Sequence, residues 1–277
     1  MPKTIHCLLF LALSSFSLLA QSASGTFLGV VKDPTGATVP NASVTIVNKA
    51  TGFRRELTTS TTGEYEAPYI PLGDYTITVK AAGFRTVERT GLNLQVDQKA
   101  EVSIQLQVGA TGDTVTIMAE AALVNTEDAS IGQVIENKRV VELPLNGRNA
   151  FALVALSPNV HSNAGPAQSG FADRGTSLTD WSINGGPNAA NNMLVDGSVA
   201  QNSYYPDLNA NLAVDAVEEF KVQSGSMSAE YGFTLGGVIN LATKAGTNNY
   251  HGSLYEFVRN NVFDARNAFS TLLLPFR

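Results

Sequence analysis

Cysteine is almost missing from this chain, and histidine, tryptophan and charge are scarce. The one cysteine, Cys7, sits in the opening segment, and the three histidines do not cluster. Without that segment no thiol would remain, which excludes a disulfide, a cysteine-ligated zinc and a cysteine nucleophile. His161 and His251 each lack a second histidine at ligand spacing, so no metal is expected. Charged residues make up 15% of the sequence, and 18 basic residues spread along a chain of net charge -6 give no electrostatic footprint for nucleic acid. The motifs G-x-x-x-x-G-K-[ST], G-x-S-x-G and H-E-x-x-H are absent, as is a G-x-G-x-x-G that opens a helix. No catalytic residue and no cofactor can be named, and an enzyme is not expected.

What is present begins with an export signal over residues 1–22. Lys3 supplies a basic start, Ile5 to Ala20 an apolar stretch, and Ala20-Gln21-Ser22 a small-x-small cleavage site. Cleavage after Ala20, Ser22 or Ala23 fits this pattern. His6, Ser14, Ser15 and Ser17 interrupt the stretch and leave it short of the ~20 apolar residues a membrane helix needs. The whole 277-residue chain is 44% hydrophobic, over a length that can hold two ordinary domains.

Residues 25–108 alternate β-branched and polar residues in short runs: TFLGVV, SVTIVN, RRELTT, DYTITVKA and AEVSIQLQV. Short strands at this spacing, with no helical period between them, predict a β-sandwich. Asp33-Pro34-Thr35-Gly36 has proline and glycine where a tight turn takes them. The stretches GVVKDPTGATVPNASVTIVN and TTSTTGEYEAPYIPLGDYTITVKAAGF, in this order, resemble the carboxypeptidase regulatory-like domain. That resemblance implies a transthyretin-like sandwich, grouped with carbohydrate-binding folds and without a catalytic centre of its own. Tyr65, Tyr69, Tyr75 and Phe84 can stack on a sugar, but aromatics at alternating strand positions more commonly fill a core.

Residues 109–126 open on small residues and read as a linker. Within it, Asp113, Thr114, Val115, Thr116 and Ile117 form either a free strand that adds to another protein's sheet edge or the first strand of the next domain. As a free strand, the segment is similar to the box by which the periplasmic TonB protein grips outer-membrane receptors.

From residue 127 the pattern mixes helix and strand. Val140, Val141 and Leu143 can share one side of a short helix ended by Pro144, with Asn146-Gly147 reversing the chain. Ala150 to Leu156 can bury Phe151, Leu153, Val154 and Leu156. Short strands follow, bounded by Asp196-Gly197 and Gly236-Gly237. The stretches VVELPLNGRN, NNMLVDG, AVEEFKVQSGSMSAEYG and LGGVINLATKAGTNNYHGSLYEF, in this order, resemble the plug domain of TonB-dependent receptors, in the Oar-like subgroup where a regulatory-like sandwich precedes the plug. The segment VQSGS lacks the arginine found there in many siderophore receptors, which weakens a siderophore assignment.

The resemblance implies an overall order, mainly β with α+β: a sandwich, a small mixed α/β plug over 127–246, and the first strand of an outer-membrane barrel over 247–277. Gly236 to Thr243 is then the last plug strand and Tyr250 to Arg259 the first barrel strand. One strand cannot close a barrel, and large plugged barrels use about 22. The chain is therefore expected to be the N-terminal, truncated part of a larger receptor. A plug presents charges to a polar lumen, so Arg148, Arg174, Glu218 and Glu219 are expected to contact the barrel wall. The loop after Asp196-Gly197 would face the substrate, with Tyr204, Tyr205, Asp207 and Asn209 as contacts; Trp181 reads as core. The implied partners are TonB, the outer membrane and a carbohydrate or peptide ligand, and the implied location is the outer membrane, facing the periplasm. The alternative is a secreted or periplasmic carbohydrate-binding module with a remnant plug and no transport.

Overall fold

The structure is a computed structural model, and it describes residues 23–109, 113–118, 130–143, 150–162, 181–187, 190–201, 212–227, 231–232, 234–252 and 254–256. It is mainly β. The first nine strands are β1 (Ser24–Lys32), β2 (Ser43–Asn48), β3 (Arg54–Thr58), β4 (Glu64–Pro71), β5 (Gly73–Lys80), β6 (Thr86–Leu94), β7 (Lys99–Glu101), β8 (Ile104–Gln105) and β9 (Thr114–Met118). They form two sheets. One has the order β4-β1-β7, with β8 also on β1, and the other the order β3-β2-β5-β6-β9.

Period-2 burial explains the packing of these sheets. Along β1 every second residue from Gly25 to Val31 is buried, and β2 buries Val44, Ile46 and Asn48. The inward sets meet in one core containing Phe27, Val44, Ile46, Tyr65, Tyr75, Ile77 and Leu92. Phe27 and Tyr75 meet edge to face, with centroids 5.4 Å apart. Both buried tyrosines satisfy their hydroxyls: Tyr65 donates to the Val102 carbonyl at 2.6 Å and Tyr75 to the Pro71 carbonyl at 2.6 Å. The turn expected at Asp33 is present. Gly36 N–H donates to the Asp33 carbonyl at 3.1 Å, and the Asp33 carboxylate accepts from the Thr35 and Ala37 amides at 2.8 and 2.9 Å.

Two strands were not expected from the pattern. In β4 the run is broken by Pro68 and Tyr69, which lie where the β1–β4 register shifts; Tyr69 takes φ 58 there and is 84% exposed. A bulge thus hides the alternation. In β6 the charged pair Glu88 and Arg89, together with Gly91, interrupts the apolar signal, and the β5–β6 register shifts between Tyr75 and Ile77. Conversely, AEVSIQLQV is not one strand; Val102 and Ser103 separate β7 from β8, and both pair parallel to β1.

The second unit contains β10 (Ile131–Glu136), the short helix α1 (Asn137–Glu142), a 3-10 turn over Ala150–Leu156, β11 (Val160–Ser162), β12 (Trp181–Ile183), β13 (Asn192–Val195), β14 (Ser198–Val199), a second 3-10 turn over Val214–Ala216, β15 (Val217–Gly225) and β16 (Val238–Thr243). Its sheet has the order β10-β15-β16-β13-β14, and β11 pairs with β12 beside it. Ile135, Val140, Leu153, Val154, Ile183, Met193, Phe220, Ile239 and Leu241 are among the residues of its core, with Trp181 half-buried against it. The helical segments correct the expected apolar sides. Of Val140, Val141 and Leu143 only Val140 is buried, because Val141 is its immediate neighbour round the helix and Leu143 is already the extended residue that follows it. Leu156, at the end of its turn, is 58% exposed.

Candidate functional site

Two features of this architecture carry the candidate functional residues: the edge strand β9, and the joint between the sandwich and the second sheet. β9 holds Thr114 to Ile117 of the TonB-box candidate, with Asp113 immediately before it. It is neither a free strand nor the first strand of the next domain. It pairs parallel with β6, from Thr86↔Thr114 to Thr90↔Met118, and the Thr86 amide donates to the Asp113 carbonyl at 2.9 Å. The Arg85 side chain also reaches the Asp113 carboxylate at 3.5 Å. Among the described residues β9 ends its sheet, so its outer edge is open. None of its residues is buried, and Ile117 and Met118 are 41% and 74% exposed.

The joint is built from the loop between β6 and β7. Val96 is fully buried with Ala23 and Ala242, and Leu72 packs against them. Around this apolar contact lie polar ones. The Val96 amide donates to the Glu219 carboxylate, Lys221 Nζ donates to the Asp97 carbonyl at 3.1 Å, and Asn240 Nδ2 donates to the Asp97 carboxylate at 2.6 Å. Gln95 Nε2 reaches Glu136 Oε1 at 3.3 Å. Beyond β16, the Asn248 amide and side chain donate to the carbonyls of Ala50 and Thr51 at 3.1 and 2.9 Å. The second face of β15 and β16 is therefore covered by the sandwich at Glu219, Lys221, Asn240 and Ala242.

This arrangement corrects the expected role of Glu219. Glu218 is exposed where the β15–β16 register shifts, whereas Glu219 is 8% exposed and turned towards the sandwich, on the side opposite the core residue Phe220. Burial pushes its carboxyl up to about 7, against the lowering effect of the Val96 amide; Glu218, Glu136 and Asp97 push in the same direction as burial. The cross-strand register explains the Glu136 contribution, since Glu136 lies directly opposite Glu219.

The predicted turns have distinct jobs. Asp196 (φ 50) and Gly197 (φ 81) form the two-residue connection between β13 and β14, in the left-handed conformation such a hairpin takes. The Asp196 carboxylate also accepts from the Thr243 amide at 2.8 Å and hydroxyl at 2.7 Å, tying the hairpin to the end of β16. Asp196→Ala is expected to lower unfolding stability by about 1–3 kcal/mol, read by urea denaturation, with Asp196→Asn losing less. At Gly237 the need is space. A Cβ there would lie 2.5 Å from Ile183 Cγ2 and 2.7 Å from the Gln223 carbonyl, and Asn191 Oδ1 accepts its amide at 3.1 Å. A Cβ on neighbouring Gly236 would strike Asn191 Oδ1 at 2.2 Å.

Arg148, Arg174, Tyr204, Tyr205, Asp207, Asn209 and the turn Asn146-Gly147 lie outside the described residues. So does Arg259; of the expected barrel strand from Tyr250, the described residues are not in a strand, and Tyr250 and Leu254 are fully exposed. Of the aromatics weighed as a sugar platform, Tyr65 and Tyr75 are core, Phe84 is half-buried against it, and Tyr69 projects from the bulge. Among the described residues no group of three or more His, Cys, Asp or Glu is placed to hold a metal, and no helix is long and apolar enough to cross a membrane, which says nothing of barrel strands. The residues that the sequence did not single out are Val96, Asp97, Lys221 and Asn240. Lys221 and Asn240 alternate with apolar residues and so read in sequence as a solvent-facing side, which is why the covered second face of those strands gave no signal.

Comparison with known proteins finds two family models that match separate parts of the chain. The family model of the carboxypeptidase regulatory-like domain matches residues 26–107, and that of an outer membrane beta barrel domain matches residues 242–275. The TonB-dependent transporter Oar of Myxococcus xanthus is 25% identical over 246 residues, covering 85% of this chain and 22% of that protein. The chain thus spans about a fifth of the length of this curated relative. Among solved structures, the Bacillus anthracis TIE protein is 16% identical over 31% of this chain and 17% of its own, with a TM-score of 0.27. A catechol 1,2 dioxygenase from Acinetobacter radioresistens is 14% identical over 39% of this chain and 60% of its own, with a TM-score of 0.29. Neither of these two likenesses assigns an activity. Together, the two family matches and the transporter relative mark the chain as related to the N-terminal part of a TonB-dependent receptor, with a carboxypeptidase regulatory-like domain at its front.

Proposed function

We infer that the chain is the periplasmic sandwich and plug of a TonB-dependent outer-membrane transporter, with a non-enzymatic role. The plug gates substrate passage through a barrel that begins near residue 247, and the segment Asp113 to Ile117 is the point gripped by TonB. The observation that carries this reading is the match to the Oar transporter along 85% of the chain, joined to a barrel-domain match at residues 242–275. A barrel must close to satisfy its backbone in lipid, so the transporting form includes strands beyond these residues. Arg148, Arg174 and Glu218 are proposed to contact the barrel wall, and Tyr204, Tyr205, Asp207 and Asn209 the substrate. Glu219 is assigned to the joint with the sandwich.

The test is fractionation of the protein made from its own gene in its own cells, detected with an antibody to the sandwich. Recovery in the outer-membrane fraction, with the heat-dependent gel migration of a folded barrel, is the expected result. Recovery only as a soluble periplasmic protein would overturn the transport reading in favour of a binding module.

A further inference from the structure

We propose that the sandwich serves as the platform that holds the TonB-gripped strand ready, so that a strand of TonB pairs with the outer edge of β9 while β9 stays bonded to β6. This rests on the reading of Asp113 to Ile117 as the gripped segment. Backbone groups along a strand point alternately to its two sides. The Asp113 carbonyl faces β6, where it accepts the Thr86 amide. Alternation from that bond sends the N–H and C=O groups of Val115 and Ile117 to β6 and those of Thr114, Thr116 and Met118 outwards.

The outer edge has what a strand-adding partner uses. It is extended, it ends its sheet among the described residues, and its side chains are largely uncovered, with the apolar Ile117 and Met118 exposed. Soluble proteins usually protect such an edge with prolines, inward charges or a covering loop. Here the described strand is TVTIM, with no charge and no proline. Because the inner edge is already paired, the strand is ordered before the partner arrives, which removes part of the ordering cost that a free tether would add to binding. The partner would become the sixth strand of a five-stranded sheet, so a pull applied to β9 would load the β6–β9 ladder as well as the segment that follows.

The test uses the 277-residue chain and the purified periplasmic C-terminal domain of TonB, with binding measured by calorimetry. Thr116→Pro removes an outward N–H and no β6 bond. It is expected to weaken binding about tenfold or more, the loss of one or two ladder bonds, with thermal unfolding of the sandwich close to wild type. A second variant joins Glu88→Cys to Thr116→Cys, which are register partners on β6 and β9; neighbouring strands lie about 4.8 Å apart, within reach of a disulfide. Oxidised, this locked chain is expected to bind TonB as tightly as its reduced form, within about threefold. Loss of binding on oxidation, restored by reductant, would overturn the platform and show that β9 must leave β6, while leaving the gripped-segment reading intact. No binding by wild type, or binding unaffected by Thr116→Pro, would overturn that reading itself.

Discussion

Glu219→Gln is expected to flatten the pH dependence of stability that the joint confers on the wild-type chain. The folded carboxyl is pushed from 4.5 to about 7, chiefly by burial, so the folded state holds its proton more tightly than the unfolded state. The sign follows from proton binding. The Glu219 contribution is fully present below about pH 4.5 and is lost as pH rises through about 7. At about 1.4 kcal/mol for each pKa unit, the ends of that window differ by about 3 kcal/mol. Urea unfolding of wild type and Glu219→Gln at pH 5 and pH 8 isolates the effect, because other titrating groups are common to both. The wild type is expected to lose more stability than the variant on going to pH 8. Parallel profiles would show that the carboxyl is not buried at the joint.

Phe27→Ala should have the largest effect of any single change in the sandwich, about 3–5 kcal/mol. Phe27 is fully buried at the centre of the core, on β1, and meets the Tyr75 ring of the opposite sheet at 5.4 Å. Truncation leaves a cavity where two sheets meet and takes a large part of the ~5–15 kcal/mol that holds a domain together. Near-UV circular dichroism would report the loss of Tyr75 packing. Because the loop carrying Val96 and Asp97 belongs to the sandwich, amides of β15 and β16 are expected to exchange faster as well. Unchanged protection of those strands would show that the two units are stable independently.

The sandwich was largely legible because half-buried strands write their burial as a period of two, as SVTIVN does over the whole of β2. Legibility failed where geometry breaks that period: at Pro68 and Tyr69 in the bulge of β4, and at Glu88, Arg89 and Gly91 in β6. The candidate site was legible as composition but not as placement. Thr-Val-Thr-Ile reads as an exchangeable strand, but which edge it occupies depends on β6, a strand the pattern did not reveal. Glu219 failed for a related reason. Its neighbours mark a strand, but a carboxylate on the second face of a sheet looks the same in sequence whether water or another domain covers it. Asp196-Gly197 was readable because hairpin geometry demands left-handed residues locally, whereas the bonds from Asp196 to Thr243 span the fold.

The most direct test of the central claim is a disulfide cross-link in cells. Thr114→Cys would be placed in the chromosomal gene and paired with single cysteines along the C-terminal domain of TonB, in cells where the protein has reached the outer membrane. The account predicts a TonB adduct that depends on Thr114→Cys and is strongest for TonB cysteines on one strand. Absence of an adduct with every TonB cysteine, in membranes where a control TonB-dependent receptor does cross-link, would contradict the claim that this chain is the TonB-coupled front of a transporter.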